Sequence, residues 1–319
     1  MTTLANSESL LAEINDQINI CICTCRRINL LELCLNSLID IEVPLHVAIS
    51  VTVVDNDGDA SAQTLVQSLQ AEFPFPLYYV KETRSGIPFA RNRAIEESLT
   101  LNSDYLVFID DDEWVEPNWL LELYGYCRKR GGEAIVSGDV IQELPDSASD
   151  QVRSFFRKRY RETGTELTAC ATNNVMIPFF VCRDLGLRFD EKNPHMGGED
   201  TVFFTLASHR GVPIYKCAEA LVHETIPESR ANMRWLARRK FRVGVIASWR
   251  KRQQGRLRVR ILISALLVVL VELMKSAVCA VFLQASMRNK YWLRACKYTG
   301  VFCGVFGARL DEYKVIHGS

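Results

Sequence analysis

The chain has 319 residues, 48% of them hydrophobic, with 38 basic and 38 acidic side chains. That balance excludes a disordered chain and leaves room for one large core, or a core with an appendage. The zero net charge hides a split: residues 1–229 carry 19 basic and 35 acidic groups, whereas residues 230–260 carry 12 basic and none acidic. An acidic body followed by a basic band has to be explained by what the band meets.

The opening stretch MTTLANSESLLAEINDQ, read as an N-terminal extension over 1–17, has neither a basic region nor an uninterrupted apolar run. No secretory signal is expected, and the eleven cysteines are read as reduced thiols in the cytosol. INICICT (18–24) is the first expected strand, and Cys21, Cys23 and Cys25 alternate onto one face, read as small buried hydrophobes with a metal site as the alternative. A helix over 29–40 follows, then AISVTVVDN (48–56) as a strand and a helix near 60–72. PLYYVKE (76–82) is the third strand, PFARNRAIEESL (88–99) a helix and DYLVFID (104–110) the fourth strand. Pro117 starts the next helix. Short apolar strands separated by helices imply an α/β fold with a mainly parallel sheet covered on both faces. Such sheets bind ligands at the carboxyl ends of their strands, where Asp55 and Asp110–Asp112 fall.

The second half is less regular. Residues 143–165 are polar and charged and read as a mobile loop and helix; TNNVMIP (172–178) suits a strand, and GGEDTVFFTLASHRG (197–211) a helix opened by glycines.

Three adjacent carboxylates behind an apolar strand repel one another unless a cation relieves them. A hard divalent ion takes one or two carboxylates together with substrate phosphates, so Asp110 and Asp112 suit Mn2+ or Mg2+. The alternative is a solvated acidic loop. For Glu199 and Asp200 the alternatives are a general base and simple negative charge at a helix start.

ICICTCRRINLLELCLNSL, VTVVDNDGDAS, ETRSGIPFARNRAIEES, FIDDDEWVEPNWL and GGEDTVFF occur in an order and spacing that resembles the family 2 glycosyltransferases of the GT-A fold. The resemblance covers about 18–245 and is greatest to the subgroup of succinoglycan-biosynthesis glucosyltransferases. It implies a catalytic domain over 18–228, with Asp55 contacting the uracil of a UDP-sugar and Thr24 and Arg26 forming the nucleotide-side loop. It implies that Arg91 holds the nucleotide pocket together, that Asp110 and Asp112 form the metal-binding DxD pair, and that Asp200 is the general base with Glu199 beside it. His223 is placed within reach of the metal or the diphosphate, the alternative being a structural histidine. Arg230 and Arg234 are expected to meet anionic phosphates, and Trp114 and Trp119 either stack on sugar rings or pack the helix start. In MRWLARRKFRVG, Ala231 stands where processive polymerases carry the first residue of their Gln/Arg-x-x-Arg-Trp signature, which argues for one sugar per acceptor.

Residues 229–319 read as a basic and apolar helical region for membrane association. ILISALLVVLVELMKSAVCAVFL (261–283) is long enough to span a bilayer, but Glu272 and Lys275 near its middle bring insertion close to balance. Positive charge flanks both ends, which favours a helix lying in the interface, or a re-entrant pair, over a single crossing. A peripheral or monotopic enzyme on the cytoplasmic face of the plasma membrane is expected, acting on a lipid-linked or polysaccharide acceptor. The acidic body argues against a nucleic-acid partner. Two rivals are a haloacid-dehalogenase-type phosphohydrolase, which carries its Asp-x-Asp on the first strand, and a non-catalytic membrane scaffold.

Overall fold

The computed structural model describes residues 16–156, 160–192 and 194–308. Residues 1–15 of the expected N-terminal extension and 309–319 of the C-terminal region lie outside it. The described chain divides into two compact units: 16–143 with 160–225, and 144–156 with 226–308.

The first unit begins with β1 (Asp16–Thr24), α1 (Ile28–Ser37), β2 (Val47–Asp55), α2 (Gln63–Leu69), β3 (Leu77–Lys81), α3 (Ile87–Thr100) and β4 (Tyr105–Asp110). It continues through β5 (Glu113–Val115), α4 (Trp119–Lys129), β6 (Ile135–Glu143), β7 (Val175–Pro178), α6 (Phe180–Arg183), α7 (Glu199–His209) and β8 (Ile214–Thr225). The second unit holds α5 (Asp150–Phe156), α8 (Met233–Gln253), α9 (Arg258–Val281) and α10 (Ala285–Val305).

Among the described residues, eight strands form one sheet in the order β3-β2-β1-β4-β7-β6-β8-β5. The β3-β2-β1-β4 half is parallel; β7 then runs antiparallel between β4 and β6, β8 lies parallel to β6, and β5 pairs antiparallel with β8. In the parallel half the strands alternate their side chains between two apolar layers. Ile18, Ile20 and Ile22 of β1 face one layer with Leu31 and Leu35 of α1, while Cys21 faces the other with Ala94 and Ile95 of α3. Burial raises the Cys21 thiol well above its ordinary value against the pull of the Ser98 hydroxyl, in keeping with an inert packing residue.

Three strands depart from the sequence expectation. β5 lies in what reads as the approach to a helix, and β6 and β8 run through stretches whose alternation is broken. His223 falls within β8. Within the polar segment 143–165, Asp150–Phe156 forms α5, whose Phe156 stacks on Trp235 at 6.0 Å between ring centres.

In the second unit, Asn232 caps α8 by accepting the Trp235 amide at 2.9 Å. α8 and α10 meet backbone to backbone: a Cβ added at Gly244 would lie 1.8 Å from the Lys297 carbonyl oxygen, and one at Gly300 would lie 1.9 Å from that of Phe241. α9 seats only a narrow stripe, Ile261, Ala265, Glu272 and Cys279, while leucines and valines around the rest of it are exposed. Glu272 faces inward to Lys275 at 3.7 Å and Arg294 at 3.5 Å. Among the described residues, α9 is the one helix long and apolar enough to cross a membrane.

Candidate active site

Register brings the sequence-selected residues to one edge. Thr24 lies opposite Asp55 and Cys23 opposite Asp110, so the carboxyl ends of β2, β1 and β4 stand side by side. The three strands deliver their last residues to the same rim because each ends where its apolar run ends.

Asp55 is fully buried. Its carboxylate accepts the Asp57 amide at 3.0 Å, the Ala62 amide at 2.9 Å and the Tyr79 hydroxyl at 3.1 Å. Its immediate partners are therefore protein donors, and it shapes the loop that follows β2. Next to it, Arg26 donates to Asp57 at 2.9 Å and to Asp59 at 3.1 Å. Although burial opposes it, the Asp59 amide and the Arg26 guanidinium hold the Asp57 carboxyl below its ordinary value. Asn56 completes the knot: its amide donates to the Glu82 and Arg84 carbonyls, and its oxygen accepts the Gly86 amide at 2.8 Å. Gly86, at φ 136°, leaves no room for a Cβ, which would fall 2.5 Å from that of Pro194. Asp55→Asn would turn an amide NH2 toward donors that now meet oxygen. It is expected to destabilise the protein by about 2 kcal/mol in urea denaturation.

The acidic triplet is held by two arginines. Thr24 donates to Asp111 at 2.7 Å, and one Arg27 nitrogen reaches Asp111 at 2.9 Å and Asp112 at 3.1 Å. Arg91 lies 3.8 Å from Asp110 and 2.6 Å from Glu199, the latter a pair in which both side chains are about nine-tenths buried. Glu113 accepts the Asp110 amide at 3.0 Å and the Asn173 amide at 2.9 Å. Two cations do not balance this crowd. Partial loss of water raises Asp110 above its ordinary value, although 43% of its side chain stays exposed, with Arg91 opposing and Asp112 and Asp111 reinforcing the rise. Burial likewise raises Asp111 to about 6 against the pull of Arg27, and it drives Glu113 well above the carboxylate range.

Gly198, left-handed at φ 88°, turns the chain into α7, so that Glu199 and Asp200 occupy its first turn. Asp200 accepts the amide and hydroxyl of Thr201 and is partly exposed. Of the two carboxylates, Glu199 is committed to Arg91. His223 stacks on Trp114 at 3.8 Å between ring centres, and its nitrogens meet Glu143 at 2.9 Å and Glu116 at 3.1 Å. Both ring nitrogens are thus taken up within the protein. Trp119 is fully buried, donating to Asn174 at 2.8 Å, and so packs the start of α4. Arg230 and Arg234 belong to the second unit, before and at the start of α8.

The model of the family described as Glycosyl transferase family 2 matches residues 19–186. The chain belongs to glycosyl transferase family 2. This family 2 glycosyltransferase is 34% identical to the succinoglycan biosynthesis protein ExoM of Rhizobium meliloti (strain 1021), over 93% of its own length and 95% of the relative's. Among solved structures it resembles S. aureus TarS 1–349 in complex with UDP-GlcNAc, with TM-score 0.53 and 14% identity, covering 91% of this chain and 90% of that one. It also resembles GalNAc-T7 with UDP, GalNAc and Mn2+, with TM-score 0.52 and 16% identity over 72% of this chain and 48% of that one. At these identities the structural likeness carries the fold, which is GT-A. The family assignment removes the phosphohydrolase rival, and Asp110 ends the fourth strand of this glycosyltransferase rather than the first.

Among the described residues, no group of three or more His, Cys, Asp or Glu side chains is arranged to hold a metal ion. The donor set nevertheless suits a hard cation of a particular kind. Asp110 and Asp112 offer two carboxylates on one rim, beside Asp111 and Glu113 and with Arg27 and Arg91 as their cationic neighbours. Mn2+ or Mg2+ held by one or two carboxylates and completed by phosphate oxygens needs no cage of protein ligands. His223 stands outside that set.

Arg27, Asp57 and Glu113 are the site residues that motif reading passed over. One signal was available for the first: Arg26 and Arg27 are adjacent cations directly behind β1, at an edge otherwise lined with acids.

Proposed function

We propose that this glycosyltransferase moves a single hexose from a nucleoside-diphosphate sugar, UDP-linked, to a lipid-linked or polysaccharide acceptor in surface or exopolysaccharide assembly, with inversion at the transferred carbon. The relatives support the donor and pathway class: one is named for succinoglycan biosynthesis, and one fold neighbour carries UDP-GlcNAc. The observation that carries the reading is the reach of Arg91. One guanidinium touches Asp110 at the end of β4 and Glu199 at the start of α7, tying the acidic rim to the carboxylate pair of GGED.

In this mechanism Asp200 takes the proton of the acceptor hydroxyl as its oxygen attacks the anomeric carbon. The bond from that carbon to the diphosphate oxygen breaks in the same step, its electron pair leaves with the nucleoside diphosphate, and a single displacement inverts configuration. Thr24, Arg26 and the loop shaped by Asp55 form the nucleotide side, and Arg91 keeps the two carboxylate groups in register. When bound by Asp110 and Asp112, Mn2+ or Mg2+ would neutralise the charge that develops on the departing diphosphate. The basic second unit with its bare apolar helix supports a peripheral or monotopic position on the cytoplasmic face of the membrane. Incubating the purified protein with a panel of nucleotide-sugars and a lipid-extracted acceptor is expected to yield one sugar per acceptor with inverted configuration by NMR. Retained configuration, or release of free sugar without transfer, would defeat the reading.

A further inference from the structure

The turn between α8 and α9 encloses a pocket of about 490 Å3, within the roughly 300–1,000 Å3 range of small-molecule sites. It is lined by three cations, Lys251, Arg256 and Arg260, by the neutral polar groups of Gln254 and Ser264, and by Leu257. Among the described residues, no ion pair joins any of the three cations to a carboxylate. Glu272 is the sole acidic residue between 230 and 308, and it is buried. α9 also begins without a side-chain cap, so its first-turn amides add positive potential at the same end. From this pocket the exposed apolar face of α9 runs on through Ile263, Leu267 and Leu270, each more than half exposed.

An occupant must therefore be anionic at one end and apolar along the rest. Free phosphate has no apolar part, nucleic acid has no surface for leucines, and a second copy meeting through the same unit would set cations against cations. We infer that this pocket binds the phosphate headgroup of an anionic membrane lipid, whose acyl chains lie along α9 as the helix rests in the bilayer interface. The inference deepens the membrane position proposed above and gives it a defined lipid contact.

The test is flotation of the full-length protein with phosphatidylcholine vesicles with and without phosphatidylglycerol, in the absence of any sugar donor, so that a failure of the transfer reading leaves its result untouched. The variant Lys251→Gln/Arg256→Gln/Arg260→Gln is expected to lose on the order of 100-fold in affinity for the anionic vesicles. Arg288→Gln/Lys290→Gln/Lys297→Gln, with the same change in charge outside the pocket, is expected to lose less than about tenfold. Ser264→Trp, which narrows the pocket and keeps every cation, is expected to lose more affinity for the anionic vesicles than the second triple variant does. Circular dichroism confirms that each variant is folded. Equal losses in the two triple variants would mean diffuse attraction by the whole basic band and would overturn the inference. So would unchanged binding by Ser264→Trp, or release of the wild-type protein from vesicles by millimolar inorganic phosphate.

Discussion

Asp200→Asn is expected to abolish most transfer while leaving donor binding and stability near the wild type. A general base of this kind is worth about 10²–10⁴ in rate, so kcat should fall by about that factor with little change in KM for the donor. The neighbouring change separates chemistry from architecture. Glu199→Gln would leave Arg91 without its 2.6 Å partner in a setting where both side chains are about nine-tenths buried. Breaking such a pair costs about 3–5 kcal/mol, and the expected signature is a lower melting temperature with the base still in place. Steady-state kinetics and thermal unfolding on the two variants decide between the roles. If Glu199→Gln lost rate without losing stability, and Asp200→Asn did the reverse, the assignments would have to be exchanged.

The second large effect concerns the cation. In the presence of UDP, Mn2+ is expected to raise the melting temperature of the wild-type protein, because a ligand at about 100 times its dissociation constant adds roughly 2.7 kcal/mol to stability. Asp112→Asn should lose most of that gain while remaining folded, since Arg27 keeps its 2.9 Å contact to Asp111. A Mn2+ shift of equal size in Asp112→Asn would remove Asp112 from the metal's ligands. No shift in the wild type would remove the metal from the mechanism.

The parallel half of the sheet was legible in the chain because its strands are mainly apolar, β-branched runs that end in polar or charged residues. Asp55 and Asp110 therefore declared their edge as soon as the runs were bounded. The antiparallel half was hidden by residues that contradict their surroundings until partners are known. β8 contains Lys216, which is buried because it bonds the Gly138 carbonyl at 2.6 Å and the Asp139 carboxylate at 2.9 Å. β6 is broken by an irregularity at Ser137–Asp139, where a Cβ on Gly138 would fall 2.2 Å from the Asn174 amide nitrogen. β5 has three residues, too few for any period to register. At the site, motif order located the carboxylates but could not tell which were already spoken for. That Asp55 closes its own loop, that Glu199 belongs to Arg91 and that both nitrogens of His223 are engaged follow from pairings across 24 to 108 residues of chain.

The alignment of Thr24, Asp55 and Asp110 across adjoining strands carries a consequence for how such a chain can vary. Side chains alternate between faces at every step along a strand, so inserting or deleting one residue within β1, β2 or β4 reverses every position beyond it. Such a change would send side chains fitted to one apolar layer into the other and shift Thr24, Asp55 or Asp110 out of line with its neighbours on the rim. Insertions and deletions should therefore collect in the connections past the strand ends, where new acceptor preferences can be tried without disturbing the rim itself.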